Sequence, residues 1–215
     1  MKHAFVLIAL GLIGVGAGCS SVYYKTMEKF GYPKRDLLVE RVDDTRKAQG
    51  EAKEQFASAL EHFIAVTKVE AGDLQGKYND LNREFARSEK CAKEVHERIA
   101  AVEDVAEALF REWKEELSQY SNASLRGESQ RQLDATRRRY DDLVRLMRRA
   151  ASRMEPILAT FRDQVLFLKH NLNARAIASL DTTTRTLEAD ISRLIADMEA
   201  SIRESEAFIK SLKSQ

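Results

Sequence analysis

Apolar residues recur along this chain in alternating steps of four and three. From Leu74 the walk visits Tyr78, Leu81, Phe85, Ser88, Ala92, Val95, Ile99, Val102, Ala106, Leu109, Trp113, Glu116 and Tyr120, and only Ser88 and Glu116 break the apolar seam. A second walk runs from Leu133 through Arg137, Tyr140, Val144, Met147, Ala151, Met154, Leu158, Phe161, Val165 and Leu168 to Leu172. An earlier one joins Leu38, Val42, Thr45, Gln49, Ala52, Phe56, Ala59, Phe63 and Val66. The last joins Leu180, Thr184, Leu187, Ile191, Leu194 and Met198, reaches Phe208 and Leu212 after weaker positions, and is widened by Ile195, Ile202 and Ile209. A sustained repeat near 3.5 residues predicts helices that wind left-handedly around partners. The seams hold too many aromatic rings for a two-stranded zipper, so a multi-helix bundle is expected.

The seams break where turn chemistry appears. "GYPKRD" puts Gly31 and Pro33 before an N-cap expected at Asp36. Further breaks fall at "EAGDLQG", "SNASLRGES" and "HNLNARA". The four predicted helices are 36–70, 73–120, 128–170 and 177–213, with Pro156 inside the third expected to kink it rather than end it. No stretch alternates with period two for long enough to make a strand. The expected fold class is all-α, an elongated antiparallel bundle of about four long helices with coiled-coil (heptad) packing. At about 1.5 Å per residue the second helix would be roughly 70 Å long, which makes the molecule a rod.

Charge adds a register. The stretch from Arg131 to Arg153 carries Arg131, Arg137, Arg138, Arg139, Arg145, Arg148, Arg149 and Arg153 against Asp134, Asp141 and Asp142. Folding the second and third helices as a hairpin about residue 125 sets Arg153 near Glu97, Met147 near Glu103 and Arg138 near Glu112, and the second helix is acidic there. Internal neutralisation is therefore expected, each exposed pair being worth only ~0.2–1 kcal/mol. The competing reading is a patch for an external anion. Folding the first helix back about residue 72 brings Asp36 near Ala108, and folding the fourth about residue 173 brings Leu212 near residue 134. The hairpin tip, 109–133, is then a two-helix extension with little cover, although it carries Leu109, Phe110, Trp113, Leu117, Tyr120 and Leu133. Either the preceding segment, with Tyr23, Tyr24, Phe30 and Tyr32, folds over it, or it meets headgroups or a membrane-bound partner. The candidate contact residues are Trp113, Tyr120, Arg126, Arg131, Arg137 and Arg138.

The opening of the chain differs in kind. Lys2 and His3 precede a run of about a dozen apolar residues, Ala4 to Val15, too short for a bilayer span of about twenty. It fits the hydrophobic region of a secretory signal. Gly16, Ala17 and Gly18 lead into Cys19, and the segment resembles a bacterial lipobox, with Gly16 where an aliphatic residue is usual. The resemblance implies cleavage after residue 18, a diacylglycerol on the Cys19 thiol and an acylated new amino terminus. Ser20 resembles the outer-membrane sorting choice. An ordinary signal peptide with an incidental cysteine, or an uncleaved anchor, is the alternative. The domains read as 1–18 lipoprotein signal peptide, 19–35 lipidated tether and 36–215 bundle.

Composition narrows the chemistry. Lys and Arg number 35 against 34 Asp and Glu, a net charge of +1, so no global field points to nucleic acid. Of the two cysteines, acylation of Cys19 leaves Cys91 without an intramolecular partner, as a small apolar residue on a helix. "GDLQGKY" is one spacer short of a phosphate loop, lacks the following Ser or Thr, and reads as a helix-to-helix turn. His3, His62, His96 and His170 form no ligand pair, and Cys91 and His96 point to different helix faces. No catalytic residues, cofactor or metal are expected.

"YYKTMEKFGYPKRDLLVERVDDTRKAQGEAKEQFASALEHF" (Tyr23 to Phe63) and "MEPILATFRDQVLFLKHNLNARAIASL" (Met154 to Leu180) resemble an uncharacterised proteobacterial lipoprotein family, domain of unknown function 2959. That resemblance implies a lipidated helical architecture and no activity. The expected protein is a lipid-anchored outer-membrane lipoprotein on the periplasmic face, a structural or protein-interaction module and not an enzyme. Its expected partners are the membrane, through the N-terminal lipid, and an envelope protein. The alternative is a binding module for an anionic envelope component, lipid headgroups or cell-wall polymer, through the arginine-rich third helix.

Overall fold

Four long helices form in the computed structural model, which describes residues 31–67, 74–171, 173, 177 and 180–214. The expected signal peptide, nearly all of the tether, Cys19 and most of the "EAGDLQG" turn lie outside the described residues.

Gly31 adopts φ +84°, a left-handed conformation that glycine alone enters without steric cost. The Pro33 carbonyl then accepts from the amides of Asp36 (2.9 Å) and Leu37 (3.2 Å), so α1 (Lys34–Thr67) starts two residues before the expected cap. Asp36 falls in the first turn instead, where its charge complements the helix dipole. The second helix, α2 (Leu74–Glu116), tightens into a 3-10 turn at Leu117–Gln119 rather than running to residue 120, with Ser118 Oγ donating to the Glu115 carbonyl (2.7 Å).

The third helix, α3 (Ala123–His170), begins five residues earlier than expected. Asn122 caps it, its side chain accepting from the amides of Ser124 (2.9 Å) and Leu125 (3.2 Å). That cap outweighs Gly127, which sits inside the helix at a modest cost in propensity. Pro156 is exposed and α3 continues through it. The last helix, α4 (Asp181–Lys213), starts four residues after the expected position.

Each helix packs on two neighbours, α1 on α2 and α4, and α3 on α2 and α4. The cross-helix pairs show that all four adjacencies are antiparallel. Arg148–Glu103 (2.6 Å), Arg162–Glu89 (2.7 Å) and Phe110–Tyr140 (5.3 Å between centroids) are all centred within a residue of 125. Lys34–Glu112 (2.9 Å) and Asp44–Arg98 (3.5 Å) fold α1 onto α2 about the expected point near residue 72. Arg149–Asp197 (3.1 Å) does the same for α3 and α4 near residue 173. Lys53–Glu199 (3.5 Å) and Arg46–Glu206 (3.7 Å) close the square between α1 and α4.

The steps of four and three mark the inside. Every position of the α1 walk is buried, and α2 buries all of its walk from Leu81 to Leu109. Phe63 and Phe161, both fully buried, meet edge to face across the centre at 5.6 Å between α1 and α3. At about 1.5 Å per residue the 48 residues of α3 extend about 70 Å, so the bundle is elongated.

Candidate functional site

The tip of the α2–α3 hairpin stands apart from the rest of the rod. Lys34, 6 % exposed, donates from Nζ to Glu112 Oε1 at 2.9 Å and fixes the start of α1 level with Glu112. Beyond Glu112, among the described residues, only α2, the 3-10 turn and the first turns of α3 continue. Gly31, the first described residue, therefore lies at this end of the bundle.

The expected apolar surface of the tip is largely turned inward. Leu109, Phe110, Leu117 and Leu133 are buried, so these side chains of the tip do not face water. Phe110 packs edge to face on Tyr140, and the Arg137 guanidinium lies over its ring at 5.5 Å, a cation–π contact on the side facing solvent. Trp113 is half-buried and its Nε1 donates to Ser129 Oγ at 2.8 Å, so the indole N–H is engaged across the hairpin. Tyr120 and Leu125 remain exposed, at 40 % and 54 %. A shallow cleft of about 210 Å³ beside Trp113 is lined by Arg35, Leu109, Glu112, Glu116 and Gln132.

The arginine-rich face of α3 divides into two halves. Its C-terminal half is neutralised: Arg145 pairs with Asp142, Arg148 with Glu103 and Arg162 with Glu89, while Arg149 and Arg153 share Asp197. Arg153 thus pairs across α4 and not with Glu97 as expected, because Arg149 and Arg153 lie one turn apart on the side facing α4. Asp197, 14 % exposed at its side chain, is the residue that the charge count overlooked. It is one of several acids on α4, and the fold reveals two guanidiniums converging on it.

The N-terminal half has no such partners. Arg126, Arg131, Arg138 and Arg139 are exposed and form no ion pair among the described residues. Glu112, the expected partner of Arg138, is held by Lys34 instead. Between Ala123 and Tyr140 the helix sets five arginines, those four and Arg137, against Glu128 and Asp134.

Electrostatics sharpen the Tyr140 corner. Burial, with the Glu103 carboxylate as the second cause, pushes its phenol up to about 12. Arg148 is raised above the usual guanidinium value by its hydrogen bond to Glu103. A mixed-charge groove of about 490 Å³ runs here between α2 and α3, past Glu107, Lys114 and Arg137. Elsewhere, half-buried Cys91 has its thiol pushed up by desolvation and then by Glu51 and Glu94. Among the described residues no three His, Cys, Asp or Glu side chains converge on a point that would hold a metal ion. No described helix is long and apolar enough to cross a membrane.

No curated protein and no solved structure matches the chain. A family model does match, over residues 23–212, nearly the whole of the chain that follows the apolar opener. With that coverage, the chain belongs to the family described as a protein of unknown function, DUF2959.

Proposed function

We propose that this protein is a lipid-anchored lipoprotein of the outer membrane, facing the periplasm, and that its helical rod is a non-catalytic structural or protein-interaction module. The anchor is Cys19, following the apolar run AFVLIALGLIGV and three small residues. One structural observation supports the reading more than any other. The start of α1 is tied to Glu112 by Lys34, so a tether from Cys19 joins the rod at one end and leaves about 70 Å of charged helical surface to extend from the membrane. In-cell crosslinking of the lipidated protein tests the proposal. An envelope protein should be captured by the wild type and lost when Cys19→Ser leaves the chain as an unacylated precursor. Capture of nothing above background, or an unchanged capture by Cys19→Ser, refutes it.

A second reading, binding of an anionic envelope component through α3, is favoured by the absence of ion pairs to Arg126, Arg131, Arg138 and Arg139 among the described residues. It confines the binding surface to the first turns of α3, because the later arginines are already neutralised.

A further inference from the structure

Which anion these arginines would face is a matter of geometry. With the proposed lipid at Cys19 as the fixed point, reach decides which part of the rod can meet the membrane. From Cys19 to Gly31 is twelve residues, which span at most about 40 Å when fully extended. The far end of the bundle, at His170, is about 70 Å from Ala123 along α3 and lies beyond that reach while the rod stands upright. The hairpin tip is different. Only a few residues separate Glu112, level with the start of α1, from the turn at Ser121, so the tip lies at the tethered end of the rod.

The side chains at that end suit a charged bilayer surface. Arg126, Arg131, Arg138 and Arg139 are exposed and carry no ion pair among the described residues. They contrast with Arg145, Arg148, Arg149 and Arg153 further along the same helix, whose charge is met within the bundle. Exposed Tyr120 and Leu125 stand at the turn itself, an amphipathic ring and an aliphatic side chain of the kinds that settle at the headgroup level. We infer that the tip of the α2–α3 hairpin is a docking surface for the anionic phospholipid headgroups of the membrane that holds the anchor. Arg126 and Arg131 bind phosphate, Tyr120 and Leu125 sit at the interface, and the rod stands with the Leu166 end away from the bilayer, while Arg138 and Arg139, about 20 Å further up α3, stay in water.

The test uses the mature lipidated protein in vesicles of neutral phosphatidylcholine, with and without a third of phosphatidylglycerol. Environment-sensitive probes are placed through Leu125→Cys or Leu166→Cys in a Cys91→Ala background, both leucines being exposed and about 60 Å apart on one helix. The probe at 125 should contact lipid only in the anionic vesicles, lose that contact at 0.5 M salt and lose it in the Arg126→Gln, Arg131→Gln variant, while the probe at 166 stays in water throughout. Each guanidinium near an anionic surface is worth about fivefold in partitioning. The two substitutions should then lower cosedimentation of unacylated protein beginning at Ser20 with anionic vesicles by about twentyfold. The inference is overturned if contact at 125 is the same in neutral vesicles or in the Gln variant, or if the probe at 166 is as close to lipid as that at 125. The mass of the purified protein reports acylation independently. A chain without lipid refutes the anchor, while cosedimentation still decides the tip.

Discussion

Gln49 is the least comfortable residue in the core, and replacing it makes the sharpest test of the packing. Its side chain is fully buried on α1, and neither amide atom finds a hydrogen-bond partner among the described residues. The bridges Arg46–Glu206 and Lys53–Glu199 bracket it, which sets it against the stretch of α4 that carries Ser201 and Ser205. Ser205 donates to the Ser201 carbonyl at 2.8 Å, while the Ser201 hydroxyl is itself buried and unpaired. A polar group buried without a hydrogen bond costs about 1–3 kcal/mol on the scale of protein mutations. Leucine has a similar volume and no polar atoms, so Gln49→Leu should stabilise the fold by about that amount, about 1–3 kcal/mol. In a domain of this size the thermal midpoint should rise by about 2–4 °C per kcal/mol. Urea denaturation followed by circular dichroism reads the change, with an unchanged slope showing that the unfolding transition is the same one. A loss of stability of 1 kcal/mol or more would refute the reasoning. It would mean that the amide is satisfied in the native state or specifies the packing of α1 against α4.

Phe161→Ala should cost about 3–5 kcal/mol, since it empties a fully buried site in edge contact with Phe63; a loss under about 1 kcal/mol in denaturant melts would contradict that core. Asn122→Ala removes the cap that starts α3 early and should cost about 1 kcal/mol, measured in the same way. Tyr140 holds its proton more firmly in the fold, at about 12 against an ordinary 10.0, because burial opposes the phenolate. Its contribution to stability is therefore complete below pH 10 and lost as pH rises from 10 towards 12. A phenolate absorbance component titrating near 12 should vanish in Tyr140→Phe, and an unchanged titration curve would remove that assignment.

How much of this was legible in the sequence depends on range. The seams fixed the buried faces because helical periodicity is local, and Leu81 through Leu109 are buried where the steps of four and three put them. Register between helices was legible as well, since a hairpin of straight helices leaves one free parameter, and Arg148 finds Glu103 as folding about residue 125 requires. Helix ends were less so. Gly127 is a breaker in sequence but sits in α3, because the Asn122 cap decided the start. The charge pattern misled where a third helix competes. Arg153 belongs to Asp197 on α4, and Lys34 takes the Glu112 that Arg138 was expected to meet. Nothing in the local pattern ranks an acid on one neighbouring helix above an acid on another. The tip differed for the same reason: Trp113 turns across the hairpin to Ser129, a contact with no periodic signature.

The proposal that the rod is tied to the membrane at its hairpin end depends on one covalent fact. Intact mass measurement of the protein purified from the membrane fraction, beside Cys19→Ser, tests it most directly. The wild type should begin at Cys19, carry a diacylglycerol and an N-acyl chain, and lack residues 1–18, while Cys19→Ser should remain an unprocessed, unacylated precursor. A wild-type chain with an unmodified Cys19, or a Cys19→Ser chain still acylated and cleaved after residue 18, would contradict the account.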